Sequence, residues 1–418
     1  MQKTMNEKVK NALLLGVLCS VSYLAVYIAR NILGAVTPQM QDGGIYSKEY
    51  IAEASSLYFI FYAVGQLING AIGDKIKAKY MMCLGLFFAG VTNLLFSFLA
   101  MDSQAAGGAQ IVYALTGFFL SMIYGPMTKV VAENVEEKYV ARCSLGYTFA
   151  SFFGSPVAGV LAAALAWQSV FAVSSGALFL MAIVGFICFT VFEKKGIVKY
   201  NQFDRPKAQA TTETTSKLQG NGVQVLLKHE IVKYSLVSIL TGVVRTSVVF
   251  WLTDYISDYL QFSSQSAAGV YSVATLGISS SAFIAVFVYE FLKRNSNHTL
   301  LLMFSLSAAF FLMAFLIHQP IVNIVCMVLA IIAANGSATI LWSIYCPSLR
   351  DTGMVSGATG FLDFLSYMAA AVANIVFANA VADIGWGMLI LVWCGLMLLG
   401  VLLALPYRKW AEKLARKQ

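Results

Sequence analysis

Charge is what this chain has least of. Only 11% of its 418 residues are Asp, Glu, Lys or Arg, where a soluble globular protein carries about a quarter. The hydrophobic share is 59% and the mean hydropathy +0.74. That balance excludes an ordinary soluble enzyme and a disordered chain. Histidine is scarce too, and neither the three histidines nor the seven cysteines have metal-ligand spacing. An odd cysteine count offers no disulfide framework, so the thiols read as small apolar fillers. No nucleophilic triad and no phosphate-cradling glycine loop occurs. The expectation is a non-enzyme without metal or cofactor.

What the chain has instead is apolar length. Twelve spans of about 20 residues need about 240 apolar positions, and the composition supplies roughly that. The spans read as 11–36, 50–72, 80–101, 109–132, 142–166, 169–192, 233–258, 267–292, 299–317, 320–346, 353–379 and 384–406. The first is too long for a signal peptide and reads as uncleaved. Twenty-five of the 28 Lys and Arg fall at the termini or at even-numbered junctions; Lys48 alone stands at an odd one. The net charge of +8 is therefore a topology signal, not a nucleic-acid footprint. Both termini are expected in the cytoplasm, in a bacterial inner membrane.

Residues 193–232 read as a polar cytoplasmic linker between two six-helix halves, 1–192 and 233–418. The halves look like repeats. Arg30 and Arg245 are 215 apart in the first helix of each, Asp74 and Glu290 are 216 apart at the end of the second, Gly146 and Gly357 are 211 apart in the fifth, and Trp167 and Trp386 are 219 apart at the start of the sixth. Tandem halves of this kind place a substrate site at the midplane between them. The expected fold is an all-α membrane protein of twelve transmembrane helices in two pseudo-symmetric bundles, working as a monomer.

An arginine within a span costs about 2.5–3.5 kcal/mol on insertion scales, so Arg30 and Arg245 should have a use. Two cations in symmetric positions suit a bidentate grip on a phosphate or carboxylate; structural pairing or snorkelling to an interface is the alternative. Tyr23, Tyr27 and Arg30 lie at i, i+4, i+7 on one helix face, as do Tyr62 and Gln66 at i, i+4. Asp363 inside the eleventh span is either a counter-ion or a proton carrier. Asp254 and Asp258, near the outer end of the seventh, read as exposed mouth residues. The segment from Gly70 through Asp74 and Lys75 to Lys79 sets an acid beside basic residues at a junction and suits a gating network.

The Gly70–Lys79 segment resembles the loop between the second and third helices of the major facilitator superfamily. The closer resemblance is to its organophosphate:phosphate antiporter family, which includes glycerol-3-phosphate and hexose-phosphate transporters. It rests on Tyr23, Tyr27 and Arg30 in the first helix, Tyr62 in the second, Arg245 with Trp251 and Tyr255 in the seventh, and Gly360, Phe361 and Tyr367 in the eleventh. The resemblance implies that Arg30 and Arg245 bind a phosphoryl group, with Tyr23, Tyr27, Tyr62, Gln66, Asn335 and Tyr367 around it. The departures are Asn31 and Gln66 for lysines, Ser151 near the place of a histidine, Asn335 for a tyrosine, Phe250 for an acid and Asp363 for a glycine. They leave the site less cationic than is usual there. The expected function is exchange of a small organophosphate anion for inorganic phosphate by alternating access. A proton-coupled symporter of an organic acid such as a sugar acid is the alternative, and a non-transporting membrane sensor the third.

Overall fold

The computed structural model describes residues 2–43, 46–73, 76–101, 105–200, 229–349 and 355–405. Every regular element among them is helical. In chain order these are α1 Gln2–Asp42, α2 Lys48–Gly73, α3 Ala78–Leu99, α4 Ala106–Asn134, α5 Glu137–Ala164, α6 Trp167–Lys194, α7 Ile231–Tyr259, α8 Ser264–Phe291, α9 Ser296–Leu316 and α10 Pro320–Tyr345. The last helical stretch, Val355–Ala404, breaks at Gly385, whose φ of 74° and ψ of 169° suit glycine alone. It divides there into α11, 355–384, and α12, 386–404.

Among the described residues ten helices are long and apolar enough to cross a membrane, the last of them comprising α11 and α12. The shorter apolar helix Ala150–Ala164 is the membrane-grade part of α5. The twelve-helix expectation thus holds, with two shifts at the boundaries. Helix α5 starts at Glu137, five residues before the expected 142, because nothing in 137–141 breaks a helix. The junction expected at 380–383 is helical for the same reason, and the turn falls at Gly385.

Helix ends carry local signals. The Asn295 side chain accepts from the His298 amide at 3.1 Å and caps α9. Gln319 accepts from the Val322 amide at 2.6 Å ahead of α10, which opens on Pro320. Three π-helical turns interrupt the α-helices, Val243–Val248 and Tyr255–Tyr259 in α7 and Leu341–Tyr345 in α10.

The described chain gathers into two compact units. One holds the residues up to 200 together with Phe250–Leu276; the other holds 229–249 together with the residues from Gly277 onward. In lipid there is little hydrophobic drive between helices, so close backbone approach and interhelical hydrogen bonds hold each unit together. In the first, Asn93 donates to Ser175 at 3.0 Å, Thr116 to Thr92 at 2.8 Å and Asn69 to Ser121 at 2.7 Å. In the second, Ser238, Ser247 and Ser307 donate to carbonyls of Leu362, Ala370 and Ala330 at 2.7–2.8 Å. Such bonds average about 0.6 kcal/mol each in membrane proteins. All seven cysteines are free thiols, six of them buried.

Lys48 opens α2 in the first unit. Its Nζ lies 2.9 Å from Asp254 Oδ2 and 3.1 Å from Asp258 Oδ2 on α7. This corrects the expectation that both acids are exposed: the Asp254 side chain is only 1% exposed, while Asp258 keeps 52%. Removing one partner of a buried pair leaves an uncompensated charge and costs about 3–5 kcal/mol. Lys48→Ala is expected to lose stability of that order. Lys48→Ala combined with Asp254→Asn is expected to recover most of it, read as thermal unfolding of the detergent-solubilised protein. Equal midpoints for the wild type and Lys48→Ala would show that the pair carries no stability.

Candidate functional site

Within the first unit, Tyr23, Tyr27 and Arg30 do share one face of α1. Arg30 is 8% exposed. Its guanidinium carbon lies 5.2 Å from the ring centre of Tyr27, 5.5 Å from that of Phe59 and 5.4 Å from that of Tyr62. Each ring face attracts a desolvated cation by about 0.5–2 kcal/mol. Together they offset much of the cost of an arginine at this depth. Tyr23 continues the cluster, 4.9 Å from Tyr27, 5.5 Å from Tyr124 of α4 and 6.2 Å from Tyr147 of α5. Gln66 sits one turn beyond Tyr62 on α2, half-buried, and its Nε2 has no hydrogen-bond partner among the described residues. Asn31 donates to the Tyr27 carbonyl of its own helix at 2.6 Å. Ser151 is buried one turn from Tyr147.

The second unit holds a different arrangement around Arg245. This residue lies in the π-helical turn of α7, where the widened turn changes the direction of its side chain relative to the rest of the helix. Its Nη2 donates to Tyr367 Oη of α11 at 3.5 Å. Its guanidinium carbon stands 5.9 Å from the Trp342 ring and 6.0 Å from the Tyr367 ring. Trp342 belongs to the π-helical turn of α10. Two buried oxygens, Thr246 Oγ1 and Asn335 Oδ1, have no partner among the described residues. Asp363 is half-buried on α11 one turn before Tyr367. Arg30 is thus nearly enclosed by rings, whereas Arg245 is half-buried and bonded to a phenol.

Of the residues expected to gate, Gly70 and Lys79 are among the described ones. Gly70 is in the last turn of α2, and Asp74 and Lys75 lie outside the described residues. Lys79, in the first turn of α3, is buried and pairs with Glu193 at the end of α6. Lys77 also reaches Glu193, at 2.9 Å, and lies over the Tyr200 ring. The chain beyond α6 folds back here. The amide of Lys199 donates to Asn134 Oδ1 at 2.6 Å, and Val198 and Tyr200 are buried. Burial pushes the Tyr200 phenol above its ordinary range, so it stays neutral beside the lysine. Residues 195–200, read from the sequence as the start of a polar linker, are a docked strap; 201–228 lie outside the described residues.

Several ring residues escaped the sequence reading. Phe59 stands three residues before Tyr62 and seven before Gln66, so helical spacing alone could have placed it on that face. Trp342 follows Asn335 by seven and was legible in the same way. Tyr124 and Tyr147 come from other helices and carry no local signal. Glu193 was masked by the lysines that follow it.

The sequence profile of the family described as Major Facilitator Superfamily matches residues 19–373. The membrane sensor protein UhpC of Salmonella typhimurium strain LT2 is 31% identical over 97 residues, or 23% of this chain and 21% of that protein. UhpC of Escherichia coli strain K12 is 29% identical over 97 residues, with the same shares. The chain therefore aligns with about a fifth of the length of these relatives. The crystal structure of a D-xylose-proton symporter matches with a TM-score of 0.72 at 12% identity, over 94% of this chain and 97% of that one. That likeness concerns the fold alone.

Proposed function

The chain belongs to the Major Facilitator Superfamily, and on that premise we propose that it exchanges a small organophosphate anion for inorganic phosphate, with Arg30 and Arg245 as the anion ligands. The observation that carries this reading is the setting of the two arginines. Each is placed in a membrane helix among aromatic rings and phenols. Ring faces attract a buried cation through its charge, and a guanidinium carries five N–H donors in a planar fork that matches an oxyanion. Tyr23, Tyr27, Tyr62 and Tyr367 then supply phenolic donors, and Gln66 and Asn335 supply buried amide atoms that lack partners among the described residues. Lys79 with Glu193, and Gly70, Asp74 and Lys75, belong to the gating apparatus. The protein works as a monomer in the inner membrane with both termini cytoplasmic, the orientation that its Lys and Arg distribution favours.

Obligatory exchange has a physical basis in this scheme. Two positive charges at the site oppose closure of the empty carrier, and an anion bound to both favours it. The test is counterflow in proteoliposomes loaded with radiolabelled inorganic phosphate. External glycerol-3-phosphate or a hexose phosphate is expected to accelerate efflux at least tenfold over buffer, and Arg30→Ala to abolish the acceleration. Efflux that ignores every phosphate ester would end the antiport reading. Uptake of a sugar acid driven by a pH gradient, and lost in Asp363→Asn, would establish the proton-coupled symporter instead. A second reading is favoured by the relatives, both of which are described as membrane sensors. Tight organophosphate binding without any flux would select it.

A further inference from the structure

The organic body of a phosphate ester needs a contact of its own, since the arginines recognise only its anionic end. We propose that Trp342 is that contact: a specificity-determining residue whose indole packs against the carbon body of an ester held on Arg245. The inference rests on the reading of Arg245 as an anion ligand and adds to it a residue that no motif singled out.

Three observations carry it. First, the indole and the guanidinium are neighbours, 5.9 Å from Arg245 Cζ to the Trp342 ring centre. The first carbon of an ester is two bonds from phosphorus, so an anion seated on the guanidinium places its carbon body beside the indole. Second, Trp342 is half-buried, unlike Trp251 and Trp393, which are each 1% exposed. Part of its surface is free of protein packing. Third, both residues lie in π-helical turns, Val243–Val248 and Leu341–Tyr345. Such turns are uncommon, and they concentrate at functional sites because they redirect side chains. The same two helices carry buried oxygens without partners among the described residues, Thr246 Oγ1 next to Arg245 in α7 and Asn335 Oδ1 in α10. Asn335 is two helical turns before Trp342 on α10, on the same face. The chemistry is an apolar plate next to a cation, with hydrogen-bond acceptors on the same two helices. It fits a phosphorylated body that combines C–H faces with hydroxyl donors, and it offers nothing extra to inorganic phosphate.

The experiment compares binding of inorganic phosphate and of glucose 6-phosphate to the purified full chain, by thermal shift and by tryptophan fluorescence. Trp342→Ala is expected to weaken glucose 6-phosphate about tenfold, the scale of an aromatic contact, and inorganic phosphate less than twofold. Trp342→Phe is expected to restore most of the ester affinity. Ester binding is expected to change the fluorescence of the wild type and of Trp393→Phe but not of Trp342→Phe. Equal weakening of both ligands, or none, would overturn the assignment, as would a fluorescence response that survives Trp342→Phe. Arg245→Ala separates the two levels. If it loses both ligands while Trp342→Ala loses neither, only the role of Trp342 falls. If it binds both as the wild type does, the anion reading falls and the role of Trp342 with it.

Discussion

Gly154→Val is expected to prevent accumulation of folded protein, or to lower its stability by at least about 3 kcal/mol. A Cβ at this position of α5 would lie 2.4 Å from Tyr27 Cβ, 2.6 Å from Tyr27 C and 2.8 Å from Tyr27 O. Two of these atoms are backbone, so no side-chain rotation relieves the clash and α1 must move away from α5. Overpacking a well-packed interior costs about 1–3 kcal/mol when side chains can adjust, and here they cannot. The damage also reaches the site, because Tyr27 is both the point of contact and one of the three rings around Arg30. The second unit has an analogous contact. A Cβ on Gly242 would meet Ser366 Oγ at 2.4 Å, Ser366 O at 2.6 Å and Ser366 Cα at 2.8 Å, one turn from Arg245 and next to Tyr367. Gly176→Ala is the control, since nothing lies within 4 Å of its added carbon and alanine favours helix over glycine. Size-exclusion profiles and unfolding midpoints in detergent measure both variants. A wild-type midpoint for Gly154→Val would show that α1 and α5 do not approach as closely as described.

The pattern of what the sequence disclosed follows from where the information resides. Spans are legible because lipid imposes length and apolarity on each helix separately. The Tyr23–Tyr27–Arg30 face is legible because its members share one helix and a fixed period. The aromatic cluster around that face is less so, since Tyr124 and Tyr147 reach Tyr23 from α4 and α5. Asp254 shows the limit most clearly. Read along α7 it is an acid near a membrane surface, and exposure is the natural inference. Its burial depends on Lys48, at the start of α2 and far away in the chain, and only the packed structure joins them. The π-helical turns have no compositional mark at all, yet they carry Arg245 and Trp342. The helical run through 380–384 was missed for the opposite reason: a junction was expected from the length of the apolar stretch, while the break waits for Gly385.

Arg30→Ala and Arg245→Ala are each expected to weaken binding of inorganic phosphate at least about 100-fold while leaving the protein folded. The two halves of this expectation have separate causes. A hydrogen bond to a charged group contributes about 1.5–3 kcal/mol, and a bidentate guanidinium makes two such bonds to one phosphate, so the loss spans two orders of magnitude or more. Stability moves the other way or not at all, because removing the arginine also removes the cost of holding a cation at membrane depth, about 2.5–3.5 kcal/mol on insertion scales. Lysine separates charge from geometry. It keeps the cation and its attraction to the rings but not the planar fork, so Arg30→Lys and Arg245→Lys are expected to bind about tenfold more weakly than the wild type and more tightly than the alanine variants. The double variant Arg30→Ala with Arg245→Ala tests whether one anion engages both. Residues that act on a shared ligand are non-additive, so the second substitution is expected to cost far less than the first. Thermal-shift titration with inorganic phosphate measures every member of the series. Strict additivity would mean that the two arginines serve separate anions, and unchanged affinity in Arg245→Ala would place the phosphate site elsewhere in the protein.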